Sequence, residues 1–169
     1  MDISYRIRKA ALADAPLLAE IQASSWQWAF AHILPHDELT RMTDRSHLTA
    51  MYRSVLASKK FHGSILEIRE APHSMAFWGP AREETEAGSA ELICIHSFPQ
   101  QVGKGYGKKL MAHVLEEMRQ AGYERVILWV FEKNIRARSF YDSIGFTLTP
   151  RQKTSFGDAL EQMYQLRLT

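Results

Sequence analysis

The chain has 169 residues, a length that fits a single domain over residues 1–169 with room for a hydrophobic core. The net charge of +2 is too small for a general nucleic-acid-binding surface, and the single cysteine, Cys94, excludes an intrachain disulfide. The first six residues contain no apolar run, and no stretch is long enough to span a membrane. These properties predict a cytoplasmic protein that binds neither nucleic acid nor membranes.

The first half of the chain alternates between strand-like and helix-like patterns. Apolar and basic residues alternate near the N-terminus, which indicates a strand, and Asp14 followed by Pro16 signals the start of a helix. The predicted elements are, in chain order, a strand at 4–9, a helix from Asp14 to Trp28, a break over 32–46, a helix at 45–59, and strands at 64–69 and 74–78 around a turn at Ala71–Pro72.

The second half continues as strands separated by helices. The apolar run at residues 126–131 is typical of a strand buried on both faces, which usually has a parallel neighbour. The predicted elements are a charged loop at 81–88, a strand at 90–98, a helix ending near Gly122, the strand at 126–131, a short helix between the N-cap Asn134 and Gly145, and strands at 146–149 and 163–168. This order predicts an α/β fold, a mixed sheet with helices on both faces.

A glycine-rich stretch, PQQVGKGYGKKL at residues 99–110, lies between a predicted strand and a predicted helix. Unpaired amides at such a turn and the positive end of the helix dipole together favour an anion. The stretch fits neither common phosphate loop, because Lys104 is followed by Gly105 and because Lys108 stands where a dinucleotide loop needs glycine. Alone, it fits a surface turn equally well.

A second motif, NIRARSFYDSIGF at residues 134–146, follows one helix and one strand later. It resembles Asn-x-x-Ala-x-x-Phe-Tyr-x-x-x-Gly-Phe of the GNAT superfamily of acetyl-CoA-dependent N-acetyltransferases. The glycine stretch then resembles the family's acetyl-CoA loop, although Val102 stands where Gln or Arg is usual. The resemblance implies a GNAT-type mixed central sheet with helices on both faces, whose splayed parallel strands bind acetyl-CoA.

The resemblance also implies cofactor-binding residues. Backbone groups of Ile95 and Ser97 would pair with the pantetheine arm, and an amide there would polarise the thioester carbonyl. Asn134 would lie near the arm. The choice between Lys108 and Lys109 for the 3′-phosphate is open, as are the places of Arg136 and Arg138, and no metal is expected. The residues expected at the pyrophosphate are Gly103, Lys104, Gly105, Tyr106, Gly107 and Lys108.

By the same resemblance Tyr141 is the acid that protonates the leaving thiolate; the alternative is a core tyrosine bonded to a backbone carbonyl. An alkyl amine has a pKa of about 10.4, so direct attack on the thioester, through a tetrahedral intermediate, needs a proton acceptor. Glu91 is the candidate base, because related sequences often have a carboxylate there; the alternative is a glutamate facing solvent. His96 is a second candidate, although a lone histidine on a strand is more often structural.

The acceptor region is predicted from the segment at residues 25–35, which resembles a GNAT subgroup with aromatic residues and a following Leu-Pro. Trp26 and Phe30 would line the acceptor cleft; core packing is the alternative. Acidic residues in predicted loops would favour a polyamine if they faced the cleft: Asp37, Glu38, Asp44, Glu83, Glu84 and Glu86.

The predicted function is transfer of acetyl from acetyl-CoA to a primary amine of a small molecule, and a polyamine is the candidate acceptor. The alternatives are acetylation of a protein or peptide amine and a non-catalytic sensor of acyl-CoA. The expected partners are the small-molecule amine and, as in many family members, a second copy of the chain in a homodimer.

Overall fold

The computed structural model describes residues 4–169, so residues 1–3 of the predicted domain lie outside the described part. One sheet has the strand order β1-β2-β3-β4-β5-β7-β6, antiparallel except between β4 and β5. The strands are β1 Tyr5–Lys9, β2 His62–Ile68, β3 Ala71–Pro80, β4 Ala90–Ser97, β5 Arg125–Phe131, β6 Thr147–Ser155 and β7 Ala159–Arg167. The helices are α1 Ala15–Ala29, α2 His36–Met42, α3 Arg45–Ser58, α4 Tyr106–Gln120 and α5 Ile135–Ile144.

The period of two along each strand divides the core between the two faces of the sheet. On one face, Ile65, Met75 and Phe77 pack against buried residues of α1 and α3. On the other face, Leu66 and Ala76 pack with the apolar stripes of α4 and α5. The predicted α/β fold, with helices on both faces of a mixed sheet, is therefore confirmed.

One local prediction is incomplete and one is wrong. The predicted break at residues 32–46 is present, since α1 ends at Ala29, but it contains α2, a short helix whose mixed polarity reflects the burial of one residue, Leu39. The turn between β2 and β3 lies at Arg69 and Glu70, both with positive φ, and not at Ala71–Pro72. Pro72 lies near the start of β3, where β4 does not yet pair with that strand and next to the register shift at Glu67 of β2, positions at which a strand tolerates a missing amide.

The parallel strands β4 and β5 pair only where they begin. Ala90 pairs with Val126 and Glu91 with Ile127, and from Leu92 onward β4 pairs with β3 alone. The register between β3 and β4 also shifts near Ile93, as it does at a β-bulge. The splayed strands that the resemblance implied are thus confirmed, and they leave a gap in the middle of the sheet.

Candidate functional site

A cleft of about 790 Å³ opens at the gap between β4 and β5. It is bounded by α1 and α3 on one side and by the glycine loop and α5 on the other. Every predicted site residue except Glu91 lines this cleft. Residues predicted from three separate stretches of sequence therefore meet at one place.

The glycine loop presents free amides to one end of the cleft. Gly103 and Gly105 have φ values of 86° and 82°, in the left-handed region that favours glycine, and Gly105 is the N-cap of α4. Within residues 4–169 no acceptor bonds the amides of residues 103–105, and the first amides of a helix have no intrahelical partner. The unpaired side of β4 lies beside them. The loop therefore fits a diphosphate, and the strand edge fits an extended arm with amide groups.

The structure distinguishes the basic residues that line the cleft from those that lie outside it. Lys108 and Arg136 line the cleft, and the Arg136 guanidinium carbon lies 4.8 Å from the Trp28 ring centroid. Lys109 lies over the Tyr5 ring at 4.7 Å, outside the cleft. Arg138 does not line the cleft; it donates a hydrogen bond to the Tyr164 hydroxyl at 3.0 Å.

Asn134 is the N-cap of α5, as predicted. Its Oδ1 accepts a hydrogen bond from the Ala137 amide at 3.2 Å, and the same residue lines the cleft. The cap holds the first turn of α5, which carries Tyr141 two turns further on.

Tyr141 is buried except where its hydroxyl reaches the cleft. The ring packs against Phe140 and Phe146, with centroids 5.6 and 5.9 Å away. Within the described residues no protein group hydrogen-bonds the hydroxyl, so the alternative of a tyrosine bonded to a backbone carbonyl is not what the structure contains. Burial raises the pKa of the Tyr141 phenol well above its usual value, which keeps the hydroxyl protonated.

Glu91 lies behind the cleft wall at the point where the parallel pairing ends. Its side chain is 2% exposed, so it is not a glutamate facing solvent. The Arg82 amide donates to one carboxylate oxygen at 2.9 Å, and the Arg82 guanidinium donates to the other at 2.6 Å. The bond to Glu91 is the main cause that raises the pKa of Arg82, and the charge of Glu161 adds to it. Arg82 itself lines the cleft.

His96 holds an aromatic wall of the cleft. Trp26 Nε1 donates to His96 Nε2 at 3.2 Å, and Ser25 Oγ lies 3.4 Å from Nδ1. Burial lowers the pKa of His96 from 6.5 to about 4, so the imidazole is neutral at neutral pH. Because Trp26 occupies the basic nitrogen, His96 is better placed to orient Trp26 than to accept a proton from an amine.

The depressed pKa of His96 predicts a pH dependence of stability. Between pH 6.5 and about 4 the unfolded chain binds a proton at this histidine and the folded protein does not. The free energy of unfolding therefore falls as pH falls through that window, by up to about 1.4 kcal/mol per pH unit. His96→Gln should remove this contribution in urea titrations, whereas the exposed control His32→Gln should keep the wild-type slope. Equal slopes in both variants would contradict the assignment.

The far end of the cleft, which we call the acceptor half, is lined by Trp26, Phe30, Phe131, Phe156 and Glu161. Trp26 packs against Phe30 and Phe156 with centroids 5.0 and 5.7 Å away. The predicted Trp26 and Phe30 thus both pack in an aromatic cluster and line the cleft. The sequence analysis did not identify the other three residues as site residues, because the local sequence does not mark which side chains border a gap in the sheet.

The acidic loop residues do not line the cleft, contrary to the condition on which the polyamine argument depended. Glu83 bonds Arg151 and Lys153 at 3.0 and 2.9 Å, and Glu86 is buried against Arg125 and Arg151. The others cap, pair or lie elsewhere: Asp44 caps α3, Glu38 pairs with Arg41, and Asp37 and Glu84 are exposed.

Comparison with known proteins connects the cleft to a chemistry. Residues 75–146 match the model of the acetyltransferase (GNAT) family. The chain is 26% identical to an uncharacterized N-acetyltransferase of Bacillus subtilis, over 76% of this chain and 72% of that protein. It is 23% identical to a spermidine N(1)-acetyltransferase of Thermoplasma acidophilum, over 96% of this chain and 99% of that protein.

A solved structure has the same fold. The PaiA N-acetyltransferase of Thermoplasma acidophilum, in complex with coenzyme A, superposes with a TM-score of 0.79 at 19% identity, covering 95% of this chain and 98% of that one. None of the helices within residues 4–169 has the length and apolar character needed to cross a membrane.

Proposed function

We propose that this chain, whose residues 75–146 match the GNAT family model, is an acetyl-CoA-dependent N-acetyltransferase that transfers acetyl from acetyl-CoA to a primary amine of a small molecule. One observation carries the proposal. A single cleft joins an anion-binding loop, an open strand edge and the protonated, unpartnered hydroxyl of Tyr141. A protein that only sensed acyl-CoA would need the anion-binding loop and the open strand edge, but it would have no use for the third feature, a free proton donor.

The cofactor end of the cleft is proposed to hold acetyl-CoA along its length. Backbone groups of Ile95 and Ser97 on β4 pair with the pantetheine arm, and Asn134 lies near it. The amides from Gly103 through Lys104, Gly105, Tyr106 and Gly107 to Lys108 hold the pyrophosphate, helped by the α4 dipole. Lys108 is the candidate for the 3′-phosphate, because Lys109 is engaged with Tyr5.

When bound, acetyl-CoA supplies the acetyl thioester that the amine attacks directly, through a tetrahedral intermediate. Tyr141 donates its proton to the sulfur that leaves. Glu91 is the proposed base, and because Arg82 bonds both of its oxygens, it accepts the amine proton through a water rather than by direct contact. Holding amine and thioester together in the cleft supplies a further part of the acceleration.

The finer proposal for the acceptor is a polyamine. Its support is the spermidine acetyltransferase of Thermoplasma acidophilum, which aligns over nearly the whole of this chain. The acidic loops give no support, since they lie outside the cleft. The cytoplasmic location and the homodimer remain predictions from the sequence.

Release of free thiol from acetyl-CoA tests the proposed function. We expect release that depends on an added amine when putrescine, spermidine or 2-phenylethylamine is supplied, with acetylated amine detected by mass spectrometry. Calorimetric titration with coenzyme A serves as the control for an intact cofactor site. Tight coenzyme A binding without release for any primary amine or amine-bearing peptide would favour the sensor alternative and overturn the proposal.

A further inference from the structure

The acceptor half contains one carboxylate without a counter-ion. Glu161 is partly buried and lines the cleft, and within residues 4–169 no side chain or amide forms an ion pair or hydrogen bond with its carboxylate. By contrast, Arg82, the cation within electrostatic reach, is neutralised by Glu91, and His96 is neutral. The unbalanced charge in this part of the cleft is therefore negative.

The register of the sheet explains why Glu161 has no partner. Glu161 on β7 lies opposite Phe131 of β5 on one side and Lys153 of β6 on the other. The Lys153 ammonium is directed elsewhere, since it bonds Glu83 at 2.9 Å and lies 4.0 Å from the Trp129 ring centroid. The cross-strand cation that would ordinarily pair with Glu161 is thus withdrawn from it.

The surroundings make a charged partner for Glu161 favourable. A carboxylate among aromatic side chains loses hydration that a partner ion restores, and aromatic faces attract cations in their own right. Phe131 packs edge-to-face on Phe30, with centroids 4.9 Å apart, and Phe156 closes the same wall. A ligand cation placed here would meet one negative charge and several ring faces.

We propose that Glu161 binds an ammonium group of the acceptor and that the acceptor class is an amine without a carboxylate. This inference deepens the proposed function and rests on it. An amino acid would bring its carboxylate near Glu161, and the arginine that would otherwise receive it, Arg82, is held by Glu91. Amines such as putrescine or 2-phenylethylamine fit this charge pattern, and their carboxylated counterparts do not.

Two pairs of acceptors that differ only by a carboxylate test the class: putrescine with ornithine, and 2-phenylethylamine with phenylalanine. For the wild-type enzyme we expect kcat/KM at least tenfold higher for the carboxylate-free member of each pair. Glu161→Gln should lower kcat/KM for both amines about tenfold, mainly through KM, and bring each pair within about threefold. Glu132→Gln, which alters an exposed carboxylate beside Phe131, is the matched control and should behave as wild type.

The outcomes separate this inference from the proposed function. If the wild type acetylates the amines and Glu161→Gln leaves KM unchanged, or if ornithine and phenylalanine are equally good acceptors, the inference is wrong while the proposed function stands. If no amine is acetylated, calorimetric titration of putrescine and 2-phenylethylamine into the protein saturated with coenzyme A decides. Binding that Glu161→Gln weakens tenfold supports the inference, and binding that it leaves unchanged, or no binding by the wild type, overturns it.

Discussion

Tyr141→Phe is expected to lower kcat about 100-fold while leaving the affinity for coenzyme A within about twofold. The substitution removes the proton that the leaving sulfur needs, but it keeps the ring that packs against Phe140 and Phe146. Because no protein group bonds the hydroxyl within the described residues, its loss should change the free energy of unfolding little. Steady-state kinetics, calorimetry with coenzyme A and urea unfolding measure the three quantities.

Tyr164→Phe is the matched control for this experiment. Tyr164 is also buried, 6.4 Å from Tyr141 between ring centroids, but its hydroxyl accepts a hydrogen bond from Arg138. We expect this variant to lose about 1 kcal/mol of stability and to keep its turnover, the reverse of Tyr141→Phe. Unchanged kcat in Tyr141→Phe would remove Tyr141 from the proposed mechanism and leave it a packing residue.

Glu91→Gln is expected to lower kcat about 100-fold, because the neutral amide cannot accept a proton from the amine. The amide has the same shape and its oxygen still accepts from Arg82, but its nitrogen cannot accept, so the variant removes the charge and one of the two Arg82 contacts. Steady-state kinetics with saturating acetyl-CoA and varied amine concentration measure kcat.

Comparison with Glu161→Gln separates a base from an acceptor-binding group. Glu161→Gln should change KM for the amine, whereas Glu91→Gln should change kcat. Arg82 bonds both Glu91 oxygens, so coenzyme A binding and the unfolding transition of each variant should be measured alongside. If Glu91→Gln keeps the wild-type kcat, Glu91 is not the base and is a positioning residue for Arg82.

Local patterns in the sequence predicted most elements well. The Asn134 cap, the helix that ends near Gly122 and the buried strand at 125–131 each depend on residues close together in the chain, and the structure has all three. Helix α2 was missed because its single buried residue gives no periodic apolar stripe. The hairpin turn was misplaced because Arg69 and Glu70 adopt positive φ without glycine or asparagine to signal it.

By itself the sequence determined the order of strands and helices, the glycine loop that precedes α4, and the likeness of Tyr141 to a family acid, because these depend on short spacings along the chain. Only the tertiary structure decided which charges are free. Glu91 is bonded by Arg82, which is only nine residues away. The ion pairs of Glu83 and Glu86, by contrast, join residues that are far apart in the sequence. Glu161 is left unpaired because Lys153, its cross-strand neighbour, bonds Glu83 instead. Charge balance within a cleft depends on distances in space, which residue spacing does not encode.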